Sequence, residues 1–218
     1  MKRIVNYFKN LEAKEATKFL IIFYVVGTMG FLIPQTRDLF EKLIPLSLAI
    51  NIFMLLLFHP KFDRRHITFF SAIIILTIAI EAIGVKTGLL FGDYQYEKSL
   101  SVKVFETPIL IGFNWLMLSY GAVYLIRTKP VLRKFIPILT GIIMTGFDYV
   151  MEPVAMKTGM WDWAAGIVPL QNYVLWFVIA TIIGAAYELF NINTNNRVAG
   201  IVFVLQLIFF AILNIFLR

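Results

Sequence analysis

The chain has 218 residues, of which 60% are hydrophobic and 15% are charged, and its formal net charge is +7. A soluble globular domain is about half apolar and about a quarter charged, so this composition indicates an integral membrane protein. The basic excess is typical of cytoplasmic loops, and no basic arm indicates nucleic-acid binding. The absence of cysteine excludes disulfides, thiolate nucleophiles and cysteine-ligated metal clusters.

Residues 1–18 are basic and amphipathic, and they lack the small-residue cleavage site of a signal peptide. We expect this segment to lie on the cytoplasmic surface ahead of the first span. The apolar runs that follow leave no room for a separate soluble domain. We therefore expect a single integral membrane domain over residues 1–218.

Seven apolar runs follow in chain order, each long enough to be considered a membrane span. They predict an all-α, polytopic membrane helical bundle of about seven transmembrane helices, with prolines at the edges of the runs. The predicted spans are residues 17–33, 44–58, 67–84, 108–126, 135–155, 172–189 and 198–217.

Lysine and arginine are divided unequally between alternate loops, with 13 of the 20 on the N-terminal side of the membrane. The positive-inside rule then predicts a cytoplasmic N-terminus, and we expect a bacterial inner membrane. The loops at 85–107 and 156–171 are expected outside. Polar residues of the third, fourth and fifth spans converge at this outer end.

Four carboxylates lie in or beside the spans at this end: Glu81, Glu106, Asp148 and Glu152. Ionising a carboxylate away from water is costly, so such groups indicate function. Asp148 and Glu152 are four residues apart and share one helix face. We expect one to stay protonated as a general acid, while the other acts as a base or stabilises a cation. A structural pair capped by Lys157 or water is the alternative.

Other polar and aromatic residues near this end have two interpretations each. Glu81 is either a further acid or an interfacial residue, and Glu106 is either an acid or a favourable charge at a helix start. Asn114 lies inside a span and must hydrogen-bond an acid or a water. Trp161 and Trp163 are either interfacial residues or shield a cation.

The chain contains two histidines, which excludes the His-rich di-iron oxidation enzymes. No glycine-rich phosphate loop is present. We therefore expect acid–base chemistry on a hydrophobic substrate, with no metal and no other cofactor.

Two segments of the sequence, FGDYQYEKSLSVKVFETPILIGFNW and TGFDYVMEPVAMKTGMWDWAAGIVPLQNYVLWF, carry a family resemblance. They combine a Gly-x-Tyr loop, an Asp-x-x-x-Glu-Pro helix, a Trp-x-Trp loop and a Pro-Leu-x-Asn-Tyr span start. Over residues 88–180 the chain resembles the integral-membrane carotenoid biosynthesis family that includes the carotenoid 1,2-hydratases. The resemblance implies a hydro-lyase that adds water across the terminal double bond of an acyclic carotenoid end, through a tertiary carbocation.

The resemblance also implies that the partners are a carotenoid, water and the lipid bilayer, and it leaves the oligomeric state open. Asp148 or Glu152 would donate the proton, and the other would orient water or stabilise the cation, with Glu81 and Glu106 as further candidate acids. The residues implied to support catalysis or contact the substrate are Asp93, Tyr94, Tyr96, Asn114, Trp115, Trp161, Trp163, Gln171, Asn172 and Tyr173.

Three alternatives stay open on the sequence alone. A carotenoid end-group cyclase or isomerase shares the first protonation, and a dry aromatic pocket would favour it over a wet one around Asn114 and Asn172. A proton-coupled carrier would use Glu81, Asp148 and Glu152, although carriers place polar groups through the depth of several spans. A purely structural or partner-binding membrane protein would tolerate loss of the acids.

Overall fold

A computed structural model describes residues 2–97 and 102–217, and its side chains are described from residue 12 onward. Most of this part of the chain is helical, and the predicted all-α polytopic bundle is confirmed. The helices are α1 (Lys2–Leu32), α2 (Pro34–Lys42), α3 (Ile44–Leu57), α4 (Arg64–Thr87), α5 (Ile109–Arg127), α6 (Ile136–Lys157), α7 (Leu170–Leu189) and α8 (Arg197–Phe216), with a 3-10 helix at Pro130–Phe135.

Six helices of the described chain are long and apolar enough to cross a membrane, and they are α1, α4, α5, α6, α7 and α8. The consecutive helices α2 and α3 are bent by 58° and supply a seventh span if the bent pair counts as one. This count fits an integral membrane protein with about seven spans. The prediction of a loop at 34–43 is wrong, because Pro34 occupies the first turn of α2, where proline favours a helix.

The segment at residues 1–18 is continuous with the first span, because α1 runs without interruption from Lys2. Residue 1 and the side chains of 2–11 lie outside the described residues. The expectation of an amphipathic segment on the membrane surface therefore stays a prediction.

Helix α5 lies at the centre of the bundle, and it contacts α3, α4, α6, α7 and α8. Its residue Gly112 lies against α4, where an added Cβ would come within 2.7 Å of the Ile74 carbonyl oxygen. Only a glycine permits this approach of the two backbones. The close packing of α4 on α5 brings Glu81 next to Trp115.

One end of the bundle is covered by a two-stranded antiparallel sheet, which we call the ribbon. It consists of β1 (Tyr94–Tyr96), from the loop after α4, and β4 (Trp161–Trp163), from the loop after α6. A second short hairpin, β2 (Lys103–Val104) and β3 (Thr107–Pro108), precedes α5. At the opposite end, the backbone N–H of Asn193 donates to His66 Nε2 at 3.2 Å and joins the loop after α7 to the start of α4.

Candidate active site

The inner face of the ribbon carries four aromatic rings. Side chains alternate between the two faces of an extended chain, so Tyr94 and Tyr96 share one face, as do Trp161 and Trp163. The register places Tyr94 opposite Trp163 and Tyr96 opposite Trp161, and all four rings are buried. The ribbon therefore presents two hydroxyl donors and two indole donors to the end of the bundle.

The two tyrosines of the ribbon bind Glu81. This residue lies on the buried face of α4, in line with Ile73 and Thr77. The hydroxyls of Tyr94 and Tyr96 donate to Glu81 Oε2 at 2.5 and 3.0 Å, and Trp115 Nε1 donates to Oε1 at 3.0 Å. Three donors on one carboxyl hold it in one orientation.

Both tyrosines remain hydrogen-bond donors. Burial raises the pKa of Tyr94 and of Tyr96 well above the ordinary value, and the nearby Glu81 carboxylate raises both further. The hydroxyls therefore keep their protons throughout the physiological range, and Glu81 keeps its donors.

The two tryptophans of the ribbon bind Glu152. Trp161 Nε1 and Trp163 Nε1 donate to Glu152 Oε2 at 2.9 and 2.8 Å. Two indole donors on a single oxygen hold the carboxyl in one orientation, and its second oxygen, Oε1, remains for other partners. The ribbon thus fixes two carboxylates from two different helices.

Asp148 lies one turn away from Glu152 on α6 and is completely buried. Asn172 Nδ2 donates to Asp148 Oδ2 at 2.7 Å, and the carboxyls of Asp148 and Glu152 are near enough to interact electrostatically. Asp148 Oδ1 has no hydrogen-bond partner among the described residues.

A small pocket of about 30 Å³ lies between these groups and the central helix α5. This volume is enough for about one or two water molecules. Its wall contains Glu81 and Glu152 but not Asp148, which lies behind Glu152. Asn114 also lines it, and the Oδ1 of Asn114 accepts no hydrogen bond from the described residues. We call this cavity the acid pocket.

A larger apolar cavity of about 390 Å³, which we call the groove, adjoins the acid pocket. Exposed residues of α1 and α3, among them Ile22, Val26 and Leu46, line it, so the groove opens at the side of the bundle. The groove and the acid pocket share four lining residues, and these mark their junction. They are Ile111, Asn114, Met151 and Trp161.

Aromatic rings close the rest of the acid pocket. Trp115 and Trp176 stack with their ring centroids 4.0 Å apart, and both line the pocket together with Phe91. Electron-rich ring faces attract a cation. The pocket therefore combines carboxylates, a free amide oxygen and ring faces in one small volume.

Four residues that the sequence assigned to the site lie elsewhere. Glu106 is exposed in the tight turn between β2 and β3, away from the acid pocket, because the chain forms a hairpin there instead of continuing directly into a helix. Asp93 is exposed, and its backbone carbonyl accepts the N–H of Ala164 at 3.0 Å.

Gln171 and Tyr173 also lie outside the acid pocket wall. The Gln171 amide donates to the backbone carbonyls of Leu89 and Leu90 and ties the loop after α4 to the start of α7. The ring of Tyr173 is half-buried and packs against Tyr149, with ring centroids 5.6 Å apart.

Three further residues that line these cavities were not predicted from the sequence. Trp176 and Phe91 gave no signal beyond the general abundance of aromatic residues. Gln206, which lines the groove, is an amide in the middle of the last apolar run, and such a residue is itself a signal. In the part of the chain that the structure describes, no three side chains of the His, Cys, Asp and Glu types are grouped so as to hold a metal ion.

Comparisons with known proteins identify a family. The model of a family described as carotenoid biosynthesis protein matches residues 43–217, which include α4 to α8 and both strands of the ribbon. No curated protein and no solved structure matches the chain.

Proposed function

The chain belongs to the carotenoid biosynthesis protein family, and from this premise we propose that it is a carotenoid end-group hydratase. The reaction adds water across the terminal 1,2 double bond of an acyclic carotenoid end and yields a tertiary alcohol. The carotenoid would occupy the groove, and its end group would reach the junction with the acid pocket.

The observation that carries this proposal is the junction itself. An apolar groove that opens sideways suits a long hydrocarbon arriving from the bilayer. The acid pocket beyond it has room for water but not for a long chain, and Asn114 faces both cavities. A site for a hydrocarbon end and a site for water therefore lie side by side.

The first step of the proposed reaction is protonation of the alkene. Asp148 and Glu152 share one proton, because two carboxyls one turn apart in a buried site do not readily ionise together. Glu152 lines the acid pocket and would transfer the proton to the less substituted carbon of the terminal double bond. Asp148 would hold the shared proton before the reaction and supply it through Glu152, and the pair then has no proton until the capturing water returns one. We therefore assign Asp148 as a positioning and proton-supplying residue and Glu152 as the catalytic acid.

The second step is capture of the cation by water. The tertiary cation would be stabilised by the carboxyl oxygens of Glu81 and by the faces of Trp115 and Trp176. The amide oxygen of Asn114 would accept a hydrogen bond from the water and direct its lone pair at the cation. The proton that the water loses returns to the Asp148–Glu152 pair, so the net change is the addition of one water molecule.

Ring closure of the same cation is the second candidate, because the stacked pair Trp115 and Trp176 would also suit a cyclase. The two reactions differ in mass, since cyclisation adds no water. Proton-coupled transport has less support. A carrier needs polar groups through the depth of several spans, whereas the buried acids Glu81, Asp148 and Glu152 lie toward one end of the bundle.

We also propose that the N-terminus is cytoplasmic, as the distribution of lysine and arginine indicates, and that the membrane is the inner membrane of a bacterium. The ribbon and the acid pocket would then lie toward the outer leaflet. Cysteine labelling of single-cysteine variants at Gln95 and Lys61, in intact cells, tests this orientation because the native chain has no cysteine.

The function is tested by expressing the chain in a bacterium that accumulates lycopene and analysing its pigments by chromatography and mass spectrometry. The wild type should yield a product heavier by one water. Glu152→Gln and Asp148→Asn should lower the yield at least about 100-fold, which is the size of a general-acid contribution. Glu106→Gln is the matched control, because Glu106 is exposed and lies outside the acid pocket. The membrane level of each variant is compared with that of the wild type. If both acid variants are present at the wild-type level and still produce the wild-type pigments, the proposal is contradicted.

A further inference from the structure

The wall of the groove is apolar except for a few side chains, two of which bind each other. The hydroxyl of Tyr24 donates to Asn51 Oδ1 at 3.1 Å, and Asn51 Nδ2 donates to the backbone carbonyl of Ser47 at 2.8 Å. Tyr24 and Asn51 are buried, and they join α1 to α3 across the groove. This pair is satisfied within the protein and needs no ligand.

Gln206 on the same wall is different. It lies near the middle of α8, it is only 4% exposed, and it lines the groove. Its Oε1 accepts no hydrogen bond from the residues that the structure describes. A buried amide in an apolar span is costly unless it has a partner, so its occurrence here points to a partner inside the groove.

The chemistry of an amide narrows the class of that partner. The amide oxygen needs a donor and the amide nitrogen needs an acceptor, and a hydroxyl group is both. A ketone or an ether has no hydrogen to donate, and a pure hydrocarbon offers nothing. Among the polar groups that an otherwise hydrocarbon chain could place in the groove, a hydroxyl group meets both needs with a single atom.

We propose that Gln206 is a specificity-determining residue that recognises a hydroxyl group borne by the chain in the groove. The preferred ligand is then an acyclic isoprenoid alcohol whose olefinic end lies at the acid pocket and whose hydroxyl lies farther along the groove. This inference rests on the proposed function only for the placement of the chain. It requires binding and no particular reaction.

Linear isoprenoid alcohols of two, three and four isoprene units provide the test, because geraniol, farnesol and geranylgeraniol share one olefinic end and differ in the distance to the hydroxyl. The purified full-length protein in detergent is incubated with each alcohol and with its methyl ether, and the bound ligand is quantified by chromatography. The methyl ether accepts a hydrogen bond but donates none. For the length that brings the hydroxyl to Gln206, the wild type should retain about fivefold more alcohol than ether, as one hydrogen bond provides.

The Gln206→Leu variant should lose the preference for the alcohol over its methyl ether, and it should still bind the ether. Asn214→Leu is the matched control, because Asn214 is an amide on the same helix that donates to the Val150 carbonyl at 3.1 Å and does not line the groove. Two results would overturn the inference. One is equal retention of alcohol and ether by the wild type at every length, and the other is an equal change in both variants. Failure of hydration in cells leaves this binding result unaffected, so the two proposals fail separately.

Discussion

Tyr94 and Trp163 lie opposite each other in the ribbon, with ring centroids 4.9 Å apart, and each donates a hydrogen bond to a different buried carboxylate. Tyr94 binds Glu81 of α4, and Trp163 binds Glu152 of α6. A single strand pairing therefore sets the positions of two acids that come from distant parts of the chain. The ribbon is a structural part of the site as well as its cover.

The first prediction concerns the indole donors. Trp163→Phe keeps an aromatic ring in the ribbon but removes one N–H from Glu152, so the carboxyl loses part of its orientation and of its stabilised charge. We expect kcat to fall about 10- to 100-fold with a smaller change in KM. Steady-state assays with the carotenoid in detergent provide the measurement.

The matched control for this change is Tyr149→Phe, which also removes one polar hydrogen from an aromatic side chain. Tyr149 is exposed on α6, packs against Tyr173 and does not line the acid pocket. Equal losses of kcat in both variants would show that the indole donor to Glu152 has no specific role.

The second prediction concerns the backbone that carries the ribbon. Gly92 has a φ of +113°, and an added Cβ would come within 2.6 Å of Pro169 and 3.3 Å of Trp163. Gly92→Ala should displace the ribbon and destabilise the fold by about 2–4 kcal/mol. Gly166→Ala is the control, since Gly166 also has a positive φ, +65°, but no atom lies within 4 Å of its added Cβ.

Thermal unfolding in detergent separates these two glycines. Gly92→Ala should lower Tm clearly more than Gly166→Ala, and it should also lower activity. Equal shifts of Tm would mean that backbone strain alone explains both substitutions and that the contact with Trp163 has no effect.

Much of the helical fold followed from simple patterns. The lengths of the apolar runs predicted the spans, and the four-residue spacing of Asp148 and Glu152 placed both carboxyls on one buried face. Helix α2 was not predicted because residues 34–42 contain six polar side chains in a short segment that begins with a proline, a pattern that loops share.

The ribbon was not predicted, because each strand has only three residues and their partners lie far apart in the chain. The signal was the alternation in Tyr-x-Tyr and Trp-x-Trp, which places both rings of each strand on one face. Glu106 was misplaced for a different reason. Phe105 and Glu106 both have positive φ, so they form a tight turn without the glycine or asparagine that normally indicates one.

The third prediction concerns the groove. Gly27 lines it on α1, and a larger side chain there would project toward Phe209 and into the space proposed for the carotenoid. Gly27→Phe should reduce carotenoid binding at least tenfold, and it should leave Glu152 and the hydrogen bonds that Glu152 accepts unchanged. Co-purification of pigment with the protein measures this directly.

Val25→Phe is the control for bulk on the same helix. Val25 is exposed and does not line the groove. Pigment should remain bound to that variant, and an equal loss in both variants would contradict the location of the binding site.

The fourth prediction concerns stability at low pH and the opposite end of the bundle. His59 Nδ1 lies 2.8 Å from the Tyr120 hydroxyl, and burial, together with nearby His66, lowers the pKa of His59 to about 4. The unfolded chain binds this proton at about pH 6.5. Stability should therefore be lost as the pH falls from about 6.5 to 4, because the unfolded state binds more protons over that range.

Tm measured against pH tests this effect. Between pH 7 and pH 4.5 the Tm of the wild type should fall by several degrees relative to the Tm of His59→Gln, because the other titrating groups are the same in both proteins. Asp63 does not contribute to this change of Tm. Its hydrogen bonds with His66 lower the pKa of Asp63 to about 2, which is below the pH range of the measurement. Parallel profiles for the two proteins would rule out His59 as the source.

In the proposed reaction, a proton from the Asp148–Glu152 pair and a water molecule add across one carbon–carbon double bond. The most direct test is the conversion of an acyclic carotenoid by the purified protein in deuterium oxide enriched in heavy oxygen, followed by mass spectrometry of the product. Hydration predicts one carbon-bound deuterium and one heavy oxygen per alcohol formed, and no such product from Glu152→Gln. A product that gains deuterium without oxygen would show ring closure or isomerisation, and it would contradict hydration.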